Sequence, residues 1–422
     1  MMTRRIRLLF TSIALGALLT GAAVTQAVAA DKKAKEQPQQ SLSPKVQKAL
    51  VNAQNAIQKQ DWAAALPAIQ EAQAVPDRKP FDDFQIAEML GFVQLKLEHF
   101  AESAAAFEQS LASGMLTPEL TQQRLSLVTQ LYLQLKNYPK AIEYGNKVLA
   151  TKPGDPDTLV MLGKAKYLSQ DYQGSIADMT QAIDLKNKSG TKAEEDWVAL
   201  LLSGYVQTKD AKGVLATLKQ LAVAYPKKQY ITDLFNQWKR EPNMDDRLSL
   251  NLYRVLFHLN LLEYSEDYLK MAQLAVDLGF PGEAITVLNK GNADKKFSDE
   301  VEQVQYKKQL ASANQLAVTD RKTVAALEQS AATKGTGEEL AQLGVAQASY
   351  EQYDKAAQSL QAGIAKGGVK RLDQAQIVLG YALVKLNRTD EAQAAFASVD
   401  PNAPLGYIAQ LWKAYTVQPS PL

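Results

Sequence analysis

The feature of this sequence that most constrains its fold is a period of about 34 residues that runs through most of the chain. Its clearest copy spans residues 122–155, where Leu125, Val128 and Tyr132 are spaced for one face of a first predicted helix. Pro139 follows at the start of a second helix, where a missing N–H group costs little. Because neither helix can bury its apolar face alone, copies must stack on one another. The period therefore predicts an all-α chain of stacked helix pairs.

The same pattern recurs in seven further segments, which share an apolar first helix, a polar or aromatic turn and small residues in the second helix. In one of them Leu162 and Gly163 lie in the first helix, and Asp171 and Tyr172 make the turn. The seven segments are residues 46–79, 84–117, 156–189, 195–228, 265–298, 337–370 and 373–406. These residues resemble the tetratricopeptide-repeat (TPR) family, and the N-terminal segment described below indicates an exported member. The resemblance implies a right-handed α-solenoid.

Two stretches, 229–264 and 299–336, lack the Leu-Gly pair, and we predict that each is a degenerate helix pair, the second with an internal cap at Asp320. Residues 405–417 are amphipathic and predict a C-terminal cap helix whose outer side is solvated. An alternative is a molecule of two bodies hinged near 241–243 or 291–293. The predicted organisation is a TPR array over 44–228, a degenerate pair over 229–264, a repeat over 265–298, a second degenerate pair over 299–336, repeats and cap helix over 337–417, and a tail over 418–422.

The first thirty residues have the layout of a secretory signal. A basic start at Arg4, Arg5 and Arg7 precedes an apolar stretch, and small residues predict cleavage near Ala29 or Ala30. A flexible linker over 31–43 follows. An uncleaved membrane anchor and a twin-arginine signal are the alternatives, but the apolar stretch is short and rich in Ala and Gly. We therefore predict a periplasmic protein.

The composition of the chain limits the kinds of partner and the kinds of site that it can have. Removing the signal leaves 44 basic against 45 acidic residues, a net charge of −1, which provides no electrostatic footprint for nucleic acid. The chain has no Cys, which excludes disulfides and thiolate metal sites. No second apolar segment approaches the length of a membrane span. Protein partners, specifically envelope proteins, are the expectation, and the oligomeric state stays open.

The sequence shows no recognisable catalytic motif. Neither His99 nor His258 has a neighbour at metal-ligand spacing, and a nucleophile elbow and a phosphate loop are both missing. His258 lies on a very apolar helix, where a partly buried neutral imidazole is the simpler interpretation and a base or pH switch the alternative. We predict no enzymatic activity, no cofactor and no metal site. An enzyme with an unrecognised site is the competing hypothesis.

The TPR resemblance also implies where partners bind, because in that family the first helices of the pairs line a groove for peptides or helices. Leu95, Leu133, Val206 and Val276 either belong to this groove or pack between repeats. The residues that match the clamp for a terminal carboxylate in some members are Ser126, Gln130 and Val160, so that specificity is not expected. The candidate groove residues are Phe92, Lys96, Gln130, Gln134, Lys164, Tyr167, Ser203, Gln273, Tyr381 and Lys385.

A narrower similarity concerns exported TPR proteins that accompany TonB–ExbB–ExbD energy-transduction systems. It is carried by Glu195-Asp196-Trp197, by the segment 225–230 and by the glycines near Lys366. It implies an adaptor associated with uptake through the outer membrane. The alternative function is a scaffold for cell-envelope assembly, such as peptidoglycan, polysaccharide or pilus machinery.

Overall fold

The computed structural model describes residues 41–241 and 244–416, and all regular structure in them is α-helical. The chain divides into two compact units, Met1–Lys192 (unit 1) and Ala193–Leu422 (unit 2). This division lies earlier in the chain than either predicted hinge, and residues 291–293 fall inside a helix. The predicted signal, most of the predicted linker and the predicted tail lie outside the described residues.

Unit 1 consists, in its described residues, of four helix pairs. The pairs are α1 Pro44–Gln58 with α2 Trp62–Gln73, α3 Pro80–Lys96 with α4 Phe100–Ala112, α5 Pro118–Gln134 with α6 Tyr138–Thr151, and α7 Pro156–Leu168 with α8 Tyr172–Lys188. Proline begins the first helix of every pair, where its fixed φ suits a helix start.

The turn inside each pair is built by two adjacent residues. The first has a left-handed backbone: Lys136, for example, has φ 58°. The next one caps the second helix, and the Asn137 side chain accepts a hydrogen bond from the Lys140 N–H at 3.3 Å. Asp61 and Asp171 cap their helices in the same way. Short polar turns of this kind explain why the second helix folds back on the first.

The two helices of a pair approach each other at small residues. A Cβ placed on Gly91 of α3 would lie 2.7 Å from the ring of Phe107 of α4, which is itself fully buried. Ala104 and Ala141 are also almost completely buried. Any larger side chain would push the helices apart, which explains the small residues in the repeat.

Unit 2 contains twelve helices in its described residues. They are α9 Glu195–Gln207, α10 Ala211–Ala224, α11 Lys228–Trp238, α12 Asp246–His258, α13 Ser265–Asp277, α14 Pro281–Ala293, α15 Glu300–Lys334, α16 Gly337–Ser349, α17 Tyr353–Lys366, α18 Leu372–Lys385, α19 Thr389–Ala397 and α20 Gly406–Thr416. The stretch 229–264 folds as two helices, α11 and α12.

The stretch 299–336 is not a helix pair, and that prediction was wrong. It is one 35-residue helix, α15, capped at Asp299. Asp320 does not cap a second helix but lies within this one and accepts a hydrogen bond from the Tyr350 hydroxyl at 2.6 Å. Residues 300–334 contain neither Gly nor Pro, so nothing local ends the helix before Gly335, and its buried stripe at Tyr306, Ala313 and Ala317 packs within unit 2.

The last helix, α20, does end the array, but it is not the solvated cap that its pattern predicts. Trp412 is fully buried and stacks on Phe396 at a ring distance of 5.6 Å. The Tyr407 hydroxyl donates to the Lys219 carbonyl at 3.2 Å, and the Tyr415 hydroxyl donates to the Lys227 carbonyl at 3.0 Å. The last helix of unit 2 thus packs against α10, and it also contacts α12, α18 and α19.

Candidate functional site

The first helices of the four pairs in unit 1 carry residues at matching positions of the repeat. Seven residues nearly complete two helical turns, so positions such as 123 and 130 lie above each other on α5. Four positions per helix define four rows, which together we call the A-helix face. Row 1 is Gln47, Gln85, Gln123 and Asp157; row 2 is Val51, Met89, Leu127 and Met161; row 3 is Gln54, Phe92, Gln130 and Lys164; row 4 is Gln58, Lys96, Gln134 and Leu168.

The exposure of these side chains agrees with an accessible face. On α5, Gln123 and Gln134 are exposed, and Leu127 and Gln130 are half-buried. On α3, Gln85 and Met89 are only 4% and 3% exposed and form the floor of the face. Leu168 at the end of α7 is 53% exposed. The face therefore has an apolar middle row between rows that are mainly amide.

Phe92 and Lys96 form one cluster with Trp62 of α2. The rings of Phe92 and Trp62 meet edge to face with centroids 5.7 Å apart. The Lys96 ammonium lies 5.5 Å from the Phe92 ring and 5.8 Å from the Trp62 ring, close enough for cation–π attraction to both. These contacts fix the positions of Phe92 and Lys96, which are the two side chains that α3 adds to rows 3 and 4.

Tyr167 lies beside the face at the end of α7, next to Lys164 in the helix. Its ring meets Tyr172 of the turn at 5.3 Å, edge to face. Behind it, Lys166 forms an ion pair with Asp178 at 2.7 Å, and burial raises the pKa of Asp178 despite that ammonium. The end of α7 is thereby held against α8.

Leu95 and Leu133, for which the sequence allowed either a groove position or packing between repeats, are packing residues. Leu95 is 4% exposed in the core formed with Val128 and Ala104, and Leu133 is half-buried against the same core. Val206 differs, because it is 53% exposed at the end of α9 in unit 2. Val276 is half-buried against the core of unit 2.

Buried charges hold the helices behind the A-helix face. Arg124 of α5 donates to both carboxylate oxygens of Glu88 of α3, at 2.5 and 2.9 Å for the shortest contacts, and both side chains are buried. Lys140 contacts Glu108 and the Tyr132 hydroxyl, each at 2.9 Å. Burial opposes ionisation of Glu108, but hydrogen bonds from Lys140 and Tyr132 keep its pKa below the ordinary value.

The four candidate groove residues in unit 2 do not share one surface. Ser203 is half-buried, and its hydroxyl donates to the Ala199 carbonyl at 2.9 Å. Gln273 is exposed, donates to Asp277 at 2.8 Å, and adjoins α15. Tyr381 and Lys385 are half-buried, and partial burial lowers the pKa of Lys385.

Tyr381 lines a small, partly open cavity in the C-terminal repeats. Val345 of α16 and Tyr381 of α18 hold the same repeat position as Gln130, and they line this cavity together with side chains of α12 and α14. Arg254 of α12 and Glu283 of α14 form a buried ion pair there at 2.6 Å. At this repeat position, other helices of unit 2 therefore lie close to the first helices α16 and α18.

His258 is next to this cavity, 5.3 Å from the Trp412 ring. Burial, assisted by the Lys385 ammonium, lowers the pKa of His258 to about 4. The imidazole is thus neutral near pH 7. His99, in contrast, is exposed at the turn before α4, and its Nδ1 lies 2.7 Å from the Gln94 side-chain oxygen.

Two of the three short motifs that resemble TonB-associated proteins, residues 195–197 and 225–230, meet at the start of unit 2. Glu195 accepts hydrogen bonds from the Lys227 ammonium and the Tyr230 hydroxyl, each at 2.6 Å, and the Tyr225 hydroxyl donates to the Ala193 carbonyl. Gly367 has φ 79°, in the left-handed region that favours glycine, so its role is to end α17. These residues have structural contacts within unit 2.

In the described ranges, no group of three or more His, Asp or Glu side chains is placed to hold a metal ion. None of the helices in those ranges combines the length and apolarity that a membrane crossing requires.

Residues 88–156 match the tetratricopeptide repeat family, and they comprise most of two successive helix pairs, α3–α4 and α5–α6. This part of the chain consists of TPR repeats. Its repeats support a role as a protein–protein interaction adaptor, and the TPR fold is typically a scaffold without catalytic activity. A comparison with curated protein sequences gives no match.

Several solved structures are similar to this chain at low sequence identity. A tetratricopeptide repeat protein from Parabacteroides merdae is 12% identical, with 64% of this chain and all of that chain covered and a TM-score of 0.35. MamA from Desulfovibrio magneticus is 17% identical over 48% of this chain and all of its own, with a TM-score of 0.32. The TPR2AB domain in a complex of yeast Sti1 is 13% identical over 71% of this chain and all of its own, with a TM-score of 0.25.

Sequence reasoning missed rows 1 and 2 of the A-helix face. It selected residues near the end of each first helix, and Gln123, Leu127 and Met161 lie one or two turns earlier. Their signal was present as the seven-residue spacing that joins Gln123 to Gln130 and Gln47 to Gln54.

Proposed function

We propose that this chain is an adaptor that docks segments of partner proteins on the A-helix face of unit 1. The observation that supports it is the contrast between the two units. All four residues compared are half-buried, but Gln130 and Lys164 have exposed neighbours on their helices, whereas Val345 and Tyr381 at the same repeat position in unit 2 line a cavity together with side chains of α12 and α14. An apolar row between amide rows suits an amphipathic or extended segment.

The proposed location is the periplasm, and the proposed partners are envelope proteins. The basic start, the apolar stretch over 8–24 and the small residues before Asp31 support export. An association with TonB-type energy transduction and outer-membrane uptake is part of this proposal. The second candidate function, a scaffold for envelope assembly, is supported by the same export signal and the same face.

Crosslinking in cells tests the docking proposal. A photoreactive residue in place of Gln134 or Tyr167 should capture the same protein, because both positions border the face. The matched control is Gln181, an exposed glutamine on α8, which is a second helix. Capture from Gln181 but not from the two face positions would place the binding surface elsewhere.

The identity of the captured protein separates the two functions. A component of a TonB–ExbB–ExbD system or an outer-membrane transporter would support uptake, and a peptidoglycan, polysaccharide or pilus enzyme would support assembly.

Export is tested separately with a reporter enzyme that is active only outside the cytoplasm. Residues 1–60 fused before the reporter should give activity, and deletion of 8–24 should abolish it. Activity that survives this deletion would contradict the secretory signal.

A further inference from the structure

We infer that the outer side of α15 binds an acidic amphipathic helix of a partner protein, which lies along it in a two-stranded coiled coil. This surface belongs to unit 2 and to a helix outside the repeat pattern, so it is separate from the A-helix face of unit 1. The inference adds a second docking surface and does not depend on the proposed function.

The outer side of α15 faces no other helix within the described residues. The helix packs against α13, α14 and α16, and its buried residues Tyr306, Ala313 and Ala317 share the inner side. It has 35 residues, so at about 1.5 Å per residue it is roughly 52 Å long. The opposite side is open to a partner along most of that length.

Apolar side chains on the outer side recur every seven residues. The members of this row, which we call the outer stripe, are all exposed: Val304, Ala311, Val318, Ala325 and Ala332. Val304 and Val318 are 60% and 61% exposed, and Val301, one turn before Val304, is 66% exposed. An apolar spacing of seven on an exposed helix is the pattern of a coiled-coil seam, around which a second helix winds with a left-handed twist.

The lysines beside the outer stripe are exposed and lack acidic neighbours. Lys308 and Lys322 each lie one turn after a valine of the stripe, and Lys307 lies on its other flank. None of the three has an Asp or Glu three or four positions away, where opposite charges support a surface helix. Residues 303–319 contain no acidic residue. The positive charge beside the stripe is therefore not compensated within the helix.

The acidic side chains of α15 are used on other sides of the helix. Glu302 belongs to the cap at its start. Asp320 accepts a hydrogen bond from the Tyr350 hydroxyl at 2.6 Å, and Glu328 accepts one from the Lys355 ammonium at 3.2 Å. Beyond its first turn, the outer side of α15 thus carries positive charge without negative charge.

Charge decides among the possible occupants of the outer stripe. A second copy of this chain would bring the same lysines to the seam, and like charges beside a coiled-coil seam oppose pairing. Residues 31–40 carry three Lys against one Asp and one Glu, so this segment is not acidic either. The stripe consists of Val and Ala, without the Trp, Phe or Leu typical of helices that lie in a membrane surface. A helix with Glu or Asp beside its own apolar seam complements both the stripe and the lysines.

The test begins with a display library of helices four heptads long, which matches the length of the outer stripe. Their seam positions vary among Ala, Val, Leu and Ile, and their flanking positions vary among Glu, Lys and Gln. Helices selected against the whole mature chain are synthesised, and their affinity is measured by fluorescence anisotropy for the native chain and for a Lys308→Glu, Lys322→Glu variant. The matched control is Lys48→Glu, Lys212→Glu, which reverses exposed lysines on α1 and α10.

We expect the selected helices to carry Glu at their flanking positions. Their affinity should fall by about tenfold or more in the Lys308→Glu, Lys322→Glu variant and should stay within about twofold in the control. The same helices with Lys in place of Glu should bind the native chain weakly and the reversed variant more tightly, which a loss of folding cannot produce. Val304→Ser, Val318→Ser should also weaken binding by about tenfold or more, because both valines enter the seam. Thermal unfolding of these variants should match that of the native chain, because every substituted side chain is exposed.

Several results would overturn the inference. Selection of basic or neutral helices, selection of none, or equal binding to the native chain and the reversed variant would each do so. A dimer of the chain that Val304→Ser, Val318→Ser dissociates would assign the outer stripe to a second copy. Binding to vesicles of phosphatidylglycerol and phosphatidylcholine that only the reversed variant loses would assign the lysines to a lipid surface. The crosslinks from Gln134 and Tyr167 test the proposed function separately, because neither residue belongs to unit 2.

Discussion

Arg124 and Glu88 are buried and carry opposite charges, so each charge is compensated by the other. Arg124 contacts both Glu88 oxygens, and Ser110 also donates to Glu88 at 2.6 Å, so the pair joins α3, α4 and α5. Removing one partner leaves an uncompensated buried charge, which costs more than the pair itself contributes. The register of these helices behind the A-helix face therefore depends on this pair.

We predict that Arg124→Ala lowers the free energy of unfolding of unit 1 by about 3–5 kcal/mol, measured by urea denaturation. The control is Lys147→Ala, which breaks an exposed ion pair with Glu143 and should cost less than about 1 kcal/mol. Equal losses in the two variants would show that the buried pair has no special role.

His258 should make the free energy of unfolding of unit 2 depend on pH, and the environment of the imidazole sets the direction of the change. Its pKa in the folded protein is about 4, below the value of 6.5 for a free side chain, so the unfolded chain binds the proton more readily. The free energy of unfolding of unit 2 should therefore be unaffected by this group above pH 6.5 and should fall as the pH drops from 6.5 towards 4.

The measurement is the urea midpoint of unit 2 at pH 7 and at pH 5. The His258→Phe variant keeps a ring beside Trp412 and removes the titrating group, so its midpoint should change less between the two pH values. A variant with the same pH dependence as the native chain would assign the effect to other groups.

At the scale of elements, α15 and α20 show why local pattern and final environment differ. Both form where helical periodicity predicts helix, but their neighbours are set by packing. The buried residues of α20 extend beyond one side, because Ile408, Leu411 and Tyr415 share one side and Gly406 and Ala409 lie away from it. A helix that is apolar on two sides indicates contacts on two sides.

We predict that Trp412→Ala lowers the free energy of unfolding of unit 2 by about 3–5 kcal/mol, because a fully buried indole leaves a large cavity. The control is Tyr264→Ala, an aromatic side chain that is 62% exposed, which should change the free energy by less than about 0.5 kcal/mol. Tryptophan fluorescence during urea titration provides the measurement. A small effect at Trp412 would mean that α20 is a solvated cap after all.

At the scale of the molecule, the chain has two compact units with separate cores. Residues 189–194 between α8 and α9 are not helical, and Gly190 there has φ 75°. We predict that residues 41–192 produced alone unfold in one cooperative urea transition, with far-UV circular dichroism typical of helix. A non-cooperative or unfolded product would show that unit 1 needs unit 2 for stability.

Much of unit 1 was predictable because its contacts are local. Turn residues such as Asn137 and Asp171, and Pro139 after the turn, specify helix ends within a few positions, and Gly91 identifies a close approach between partners of one pair. The groove residues Gln130, Lys164 and their neighbours follow from the same repeat register. In unit 2 the positions of Tyr381 and Lys385 were not predictable, because α12, α14 and α20 cover them from distant parts of the chain.

The sequence by itself determined the helix pairs of unit 1 and their caps, because each depends on residues within one period. Only the tertiary structure decided that α15 is a single helix supported by α14 and α16, that α20 returns to α10, and that side chains of α12 and α14 line the same cavity as the first helices α16 and α18. The physical reason is that burial of an apolar side chain such as Trp412 depends on which distant surfaces meet it, and a local pattern specifies only that it must be buried.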